Sequence, residues 1–351
     1  PAGGAAKEFE PVASGTLPNG TAVVLKADGT VEAVDGTTVP TTFPLGPIST
    51  IQSSTTYYVQ VAFDPNEAGK LIAIYRDEGN SGHGTAVVGT VSGTSITFGP
   101  EYIFNSAEAN YAKISFDPKT AGSFVIQFND AANNQHAYVV AGSRSGLGLT
   151  FGTKVVVNAA ATQGDHMNIQ CDPVNAGKFV TVYRNQGSSN RGQSRVGTIS
   201  GTSISLGSVV EFNGGTGGYY NSLAFDHTSS GKFIVAFYDI NNSGRGTGMV
   251  GTISGTSVSY GSKIVFNSVG TGNIFMAFDP NTANSFVVTY NQAHGRAGTL
   301  SGNSFTVGSE VQFSTRVPDI KRVAFNPSTA GQLLTVYRDS VSPYSGYASV
   351  G

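Results

Sequence analysis

The chain has no tryptophan, one cysteine and three methionines in 351 residues, and only 12% of its residues are charged. Each scarcity excludes something. A single thiol, Cys171, cannot build an intrachain disulfide framework. It stands at a strand position where sister segments carry Phe, so it reads as a small buried hydrophobe. Lysines and arginines number 20 against 22 acids, for a net charge of −2. Without a basic stripe, nucleic acid is not an expected partner. No apolar run reaches the roughly 18 residues of a membrane span. The opening PAGGAAKEFE lacks the charged-then-apolar pattern of a leader. No segment carries a convincing helical period.

Glycine and two aromatics are plentiful, with 46 Gly, 21 Phe and 15 Tyr, and 39% of the residues are hydrophobic. That is enough for a real core. The glycines recur at fixed offsets. VAFDPNEAGKLIAIYRD (Val61–Asp77) returns as ISFDPKTAGSFVIQFND (Ile114–Asp130), IQCDPVNAGKFVTVYRN (Ile169–Asn185) and LAFDHTSSGKFIVAFYD (Leu223–Asp239). MAFDPNTANSFVVTYNQ (Met276–Gln292) and VAFNPSTAGQLLTVYRD (Val323–Asp339) complete six copies. The anchors Phe63, Phe116, Cys171, Phe225, Phe278 and Phe325 are 53, 55, 54, 53 and 47 residues apart. A fixed period near 50 signals a solenoid or a propeller.

Strand patterning separates the two. In the first copy, four β-rich runs cover Tyr58–Phe63, Lys70–Arg76, Thr85–Val91 and Ser95–Phe104. The first two are joined by DPNEAG, in which Asp starts a turn, Pro fixes φ and Gly supplies a positive φ. The last two are joined by a tight Ser-Gly-Thr hairpin turn, in a phrase, VVGTVSGTSITFG, repeated almost letter for letter at Arg195–Gly207 and Met249–Gly261. Repeated four-stranded antiparallel units make propeller blades. The expected fold is therefore all-β, a six-bladed β-propeller over residues 41–351. The last copy ends on its third run, while residues 41–51 align with a fourth run, so this segment is expected to complete the last blade and close the ring without an open edge. Residues 1–40 form a separate arm. Gly20–Gly36 within it reads as a β-hairpin turning at Ala-Asp-Gly.

The turns on one edge of each blade are nearly constant. Those on the other edge, after the second run and before the first, differ in every copy. Constancy is what a fold needs; variation is where recognition can be written. The variable edge carries the candidate ligand-binding residues Arg76, Asp77, His83, Tyr111, Asp130, His136, Arg184, Tyr219, Tyr220, Asp239, Arg245, Arg338 and Asp339. Aromatic rings stack on sugar faces, and Asp, Asn and Arg bond hydroxyls, so this inventory suits a glycan or another polar surface. The competing reading makes the Tyr-Arg-Asp strand ends blade-to-blade hydrogen bonds copied by duplication.

Catalysis is not expected. The acids come one per blade, not as a facing pair, and the Asp-box of sialidase propellers ends in a Trp that this chain lacks. The five His occur singly, without zinc spacing, so no metal or cofactor is expected. The loops at Asp77–Gly82 and Asp239–Gly244 have some calcium-loop character but no closing Glu. The triplets at Asn19 and Asn241 carry little weight in so Asn/Ser-rich a chain.

The repeated phrases resemble modules in structural proteins of tailed bacteriophages, especially those of marine and cyanobacterial hosts, over all six copies. ASGTLPNGTAVVLKADGTVEAV (Ala13–Val34) resembles segments that precede such modules in tail-fibre and appendage proteins. The resemblance implies a non-enzymatic virion appendage or adhesin on the particle surface, assembled with other virion subunits or as a homo-oligomer. Multivalent attachment through the variable loops, here to a cell-surface glycan, would be its mechanism. A secreted bacterial carbohydrate-binding lectin is the alternative, and a propeller glycoside hydrolase the third reading.

Overall fold

The computed structural model describes residues 12–13, 23–25, 30–33, 46–162, 164–214, 218–291, 293–315, 318–340 and 346–351. Contacts group the chain into Pro1–Pro47 and Ile48–Gly351. In the first unit Val23–Leu25 pairs antiparallel with Thr30–Ala33, within the span read as a hairpin. Val12–Ala13 adds a parallel strand that the sequence did not suggest.

The second unit is all antiparallel β-sheet, built once per repeat. The third repeat shows the plan. Asn168–Cys171, Lys178–Asn185, Arg191–Ser200 and Ser203–Leu206 lie side by side in sequence order. One row across that sheet reads Cys171, Phe179, Gly197, Leu206. The fourth strand has a second piece, Val210–Asn213, which returns to the same third strand. The fourth and fifth repeats follow the same order. In the first two, one 22-residue strand, Ser95–Phe116, serves as the outer strand of one repeat and the inner strand of the next. The last repeat shows three strands among the described residues.

Alternation sets the packing. Along the second strand, successive side chains face opposite neighbours. Phe124, Ile126 and Phe128 of the second repeat pack back on Ile72, Ile74, Ala86 and Val88 of the first. Val125 between them faces forward onto Ile169, Cys171 and Phe179 of the third. The core is therefore a series of junctions between sheets, each closed by rings such as Phe104 on Phe128 and Phe212 on Phe237, both at 5.3 Å.

The constant phrases now have physical causes. In the second to fifth copies the third-strand glycine lies under a second-strand ring: a Cβ on Gly142, Gly197, Gly251 or Gly298 would run into Phe124, Phe179, Phe233 or Phe286, and in the first copy Gly89 lies under Leu71 instead. The glycine closing the phrase lies against the next repeat's hairpin turn, Gly207 against the Thr256 carbonyl. The Asp that opens each of these turns caps it, and in two repeats, at Asp117 and Asp279, it also reaches onward. Asp117 accepts from Lys119 N at 2.9 Å through Oδ1, and from Gly177 N of the next repeat at 2.7 Å through Oδ2. Cys171 is buried, and desolvation pushes its thiol pKa far up.

Two expectations need correction. Residues 105–111, which fall on the variable edge between the fourth run of the first copy and the first run of the second, where a turn is expected, belong to the continuous strand Ser95–Phe116, which absorbs its extra residues as bulges between His83 and Thr85 and between Asn110 and Lys113. The loops after the second strand also differ in letters but not in backbone. In repeats one to four each is a short 3₁₀ turn, at Glu78–Asn80, Ala131–Asn133, Gln186–Ser188 and Ile240–Asn242. Each ends in a left-handed residue, Ser81, Asn134, Ser189 or Ser243.

Of the segment 41–51, residues 41–45 lie outside the described residues, and the remainder is not a strand. Its end meets the first repeat as fourth-strand ends meet later ones. Ile51 packs with Leu71, Ala73, Tyr75 and Val87. Ser49 Oγ donates to the Ile96 carbonyl at 2.8 Å.

Candidate functional site

The edge carrying the 3₁₀ turns divides into a structural layer and a presented layer. The aspartates form the first. Asp77, Asp130, Asp239 and Asp339 are buried. Asp77 Oδ1 accepts from Gly79 N at 2.9 Å and Ser54 Oγ at 2.9 Å. Asp130 accepts from Ala132 N at 3.1 Å, Asn133 Nδ2 at 2.7 Å and Lys154 Nζ at 2.6 Å. Asp77 and Asp130 thus accept the orphan donors of their 3₁₀ turns, the ordinary work of an N-cap, whereas Asp239 makes no side-chain cap bond and is held by Lys263 alone among the described residues. These carboxylates hold the edge together and are not presented to a ligand.

Lysine extends the cap into a clamp between repeats. Lys154 joins Asp130 to Asn105 Oδ1 of the preceding repeat at 2.7 Å. Lys263 joins Asp239 at 2.8 Å to Asn213 at 2.8 Å in the same way. At the first repeat Gln52 takes the preceding-repeat role, donating to Asp77 Oδ2 at 3.2 Å and Glu101 Oε1 at 2.8 Å. Sequence reasoning missed these lysines, although both stand three residues after the phenylalanine or tyrosine of the fourth run.

The presented layer lies where repeats meet. The Arg184 guanidinium sits over the Tyr219 ring of the next repeat, 3.8 Å from its centroid, with Nη2 2.7 Å from the hydroxyl. His166 meets the edge of that ring at 5.2 Å, and Tyr238 meets it at 5.8 Å. Arg184 is buried beneath, whereas Tyr219 is half-buried. At the first junction Arg76 donates to Asn110 Oδ1 at 2.7 Å and pairs with Glu78 and, at 3.5 Å, with Glu108. Burial opposes the charge on Arg76, but the Glu78 and Glu108 carboxylates outweigh it and hold its pKa above the ordinary value. His83 is half-buried there, with Nδ1 lacking a hydrogen-bond partner.

Four other candidates are dispersed. Tyr111 is half-buried and meets the Tyr58 ring at 4.4 Å, tilted by 38°. His136 is half-buried at the start of its strand, and Arg245 and Arg338 are exposed. The Tyr220 side chain lies outside the described residues. The candidates thus fall at separate junctions around one edge and form no single cluster. Among the described residues no group of three His, Cys, Asp or Glu is placed to hold a metal ion.

No protein-family profile matches the sequence. No curated protein matches it either. Solved structures match the fold. A lectin from Burkholderia pseudomallei is 9% identical with a TM-score of 0.63, covering 84% of this chain and 80% of that one. AofleA of Arthrobotrys oligospora is 6% identical with a TM-score of 0.51, covering 84% and 83%. Sqt1 of Chaetomium thermophilum, bound to the N-terminus of a ribosomal protein, is 13% identical with a TM-score of 0.51, covering 82% and 72%. At these identities the likeness concerns the fold, and the fold is a β-propeller.

Proposed function

We propose that the chain is a non-enzymatic carbohydrate-binding propeller whose contacts lie at the repeat junctions of the edge carrying the 3₁₀ turns. The observation that carries this reading is Tyr219, half-buried and backed at 3.8 Å by the Arg184 guanidinium. A ring fixed in this way offers an apolar face to the C–H side of a sugar, while neighbouring polar groups can bond its hydroxyls. The lectin among the fold neighbours supports the reading. AofleA has been crystallised with three evenly spaced arginines replaced by alanine, and Arg76, Arg184 and Arg338 here occupy one repeat position. The sequence reading ranked a virion appendage first; the fold neighbours favour its alternative. A glycan array tests this. Tyr219→Ala should abolish or sharply weaken any hit, and an array without hits would refute carbohydrate binding.

The propeller is proposed to close as six blades, with residues 41–51 completing the last. Gln52 and Ile51 support this by repeating fourth-strand contacts on the first repeat. So do two exposed faces. Phe63 is 60% exposed where Phe116 is 6%, and Val336 is 40% exposed where its counterpart Ile74 is fully buried. These are the faces that meet at the other junctions. Val336→Asp should destabilise the protein strongly; a neutral effect would count against closure. The virion setting is proposed on the sequence resemblance alone, and identification of the chain in purified particles by mass spectrometry tests it.

A further inference from the structure

One repeat position at the end of the second strand reaches forward into the next repeat. Arg76 donates to Asn110 Oδ1 at 2.7 Å, and Arg184 Nη2 lies 2.7 Å from the Tyr219 hydroxyl. The two targets share a repeat position of their own, fixed by register. Asn110 pairs with Asn129 and Tyr219 with Tyr238, and both partners occupy the position of Arg76 and Arg184 in their own repeats. In the first repeat the residue paired with Arg76 is Tyr57, so Tyr57 is the counterpart of Tyr219.

The sequence then says where the Arg184–Tyr219 pair can recur. The forward-reaching position is held in chain order by Arg76, Asn129, Arg184, Tyr238, Asn291 and Arg338. An arginine there is followed by a tyrosine target at two junctions. One joins Arg184 to Tyr219. In the closed ring the other joins Arg338 of the last repeat to Tyr57 of the first.

The structure prepares both tyrosines alike. The strand pairing is interrupted directly after each, between Tyr57 and Gln60 and between Tyr219 and Ser222. A neighbour in the same repeat flanks each ring: the Arg76 guanidinium stands 5.4 Å from the Tyr57 centroid, and the Tyr238 ring 5.8 Å from that of Tyr219. Tyr57 is 50% exposed, in the same alternating row as Val61 and Phe63. Arg338 is exposed and alternates onto the face of Val336. These rows lie on the two faces that closure brings together. A guanidinium over a tyrosine ring is an attractive contact, and it leaves the far face of the ring for the C–H side of a sugar.

We infer that closure builds a second saccharide site at the junction of the last and first repeats, from Tyr57 backed by Arg338, and that the chain is thereby bivalent. The inference rests on the carbohydrate reading of Tyr219 and on closure of the ring. It asks only that Arg338 reach the Tyr57 ring, not that Arg338 have no other partner. The ring it uses is already open to solvent. The two sites stand three repeats apart on one edge, so a single chain can hold two glycans of one surface and gain avidity from both.

Isothermal titration of the full chain with the strongest-binding glycan of the array, as free saccharide, tests it. Two equivalents should bind to the wild type, one to Tyr219→Ala, one to Tyr57→Ala and none to the double variant. Tyr57→Phe keeps the ring and should keep both equivalents. Arg338→Ala should weaken the second site at least tenfold. On the array, where avidity counts, each single alanine variant should fall at least tenfold. Thermal unfolding accompanies each variant; if Tyr57→Ala melts early, Arg338→Ala decides. A single equivalent in the wild type, lost in Tyr219→Ala, would overturn the second site and leave the first standing. Two equivalents unchanged by Tyr57→Ala and Arg338→Ala, or more than two equivalents, would also overturn it. No binding at all would overturn both readings.

Discussion

Lys154 donates to Oδ2 of Asp130 across 2.6 Å, and the same ammonium holds Asn105 of the preceding repeat at 2.7 Å. One cation thus ties a turn cap to a repeat junction. Burial alone would raise the Asp130 pKa; hydrogen bonds from Lys154 and Asn133, with the Ala132 amide, outweigh it and hold the pKa below the usual carboxylate value. A carboxyl lowered on folding contributes stability above its unfolded pKa of about 4 and loses it as pH falls through the folded value. Denaturant titrations should show stability falling on acidification below about pH 4, and a shallower fall in Asp130→Asn. Asp130→Ala should cost about 2 kcal/mol at neutral pH, combining a lost cap with a partly solvated ion pair.

Arg144 makes a sharper contrast between ion pairs. It donates to Asp64 Oδ2 at 2.7 and 3.0 Å, across from the second repeat to the first, with both side chains almost wholly buried. Arg144→Leu leaves Asp64 buried and uncompensated and should cost about 3–5 kcal/mol. Arg191→Leu removes an exposed pair with Glu211 and should cost less than about 1 kcal/mol. Equal effects in chemical denaturation would contradict this assignment.

Two glycines of one repeated phrase should respond differently to alanine. Gly197 lies under the Phe179 ring, so Gly197→Ala forces the ring aside and should cost about 2–3 kcal/mol. Gly201 sits in the hairpin turn at φ 60° with open space around it, so Gly201→Ala meets only backbone strain, about 1 kcal/mol. Thermal unfolding of the two variants gives the order.

Gln52 should matter as much as Asn105. Gln52 donates to the Asp77 cap directly, and Asn105 accepts from the Lys154 that holds the Asp130 cap of the following repeat, so Gln52→Ala and Asn105→Ala should each lower stability by about 1 kcal/mol. A silent Gln52→Ala would separate the segment after residue 45 from the role of an outer strand.

Cys171 should be inert in the folded protein. Its thiol is buried and its pKa is driven up by desolvation, so little thiolate exists to react. A thiol reagent should label it at the rate of unfolding, and rapidly in denaturant.

Much of the scaffold was legible because repetition states it. The runs at Lys70–Arg76 and Thr85–Val91 became strands Lys70–Asp77 and His83–Ser92. The strand through Asn105–Tyr111 was not legible, since Asn, Ser, Ala and Glu have no strand period and pairing across bulges overrides them. The candidate site was legible only as an edge. Asp77 and Asp130 lie on it as caps, while Lys154 and Gln52, unremarkable as letters, complete them.

By itself the sequence determined an all-β chain with a period near 50, the tight hairpins and the edge on which variation falls. Each of these depends on residues close in the chain, through alternation, turn chemistry and glycine at positive φ. Only the tertiary structure decided which aspartates are buried, that Lys154 reaches Asn105, Lys263 reaches Asn213 and Arg144 reaches Asp64 in other repeats, and that Gln60, Lys113, Asn168, Ser222, Phe275 and Arg322 share one cavity. Those relationships join residues about 50 or more positions apart, and burial and partnership across such distances arise only when the sheets pack.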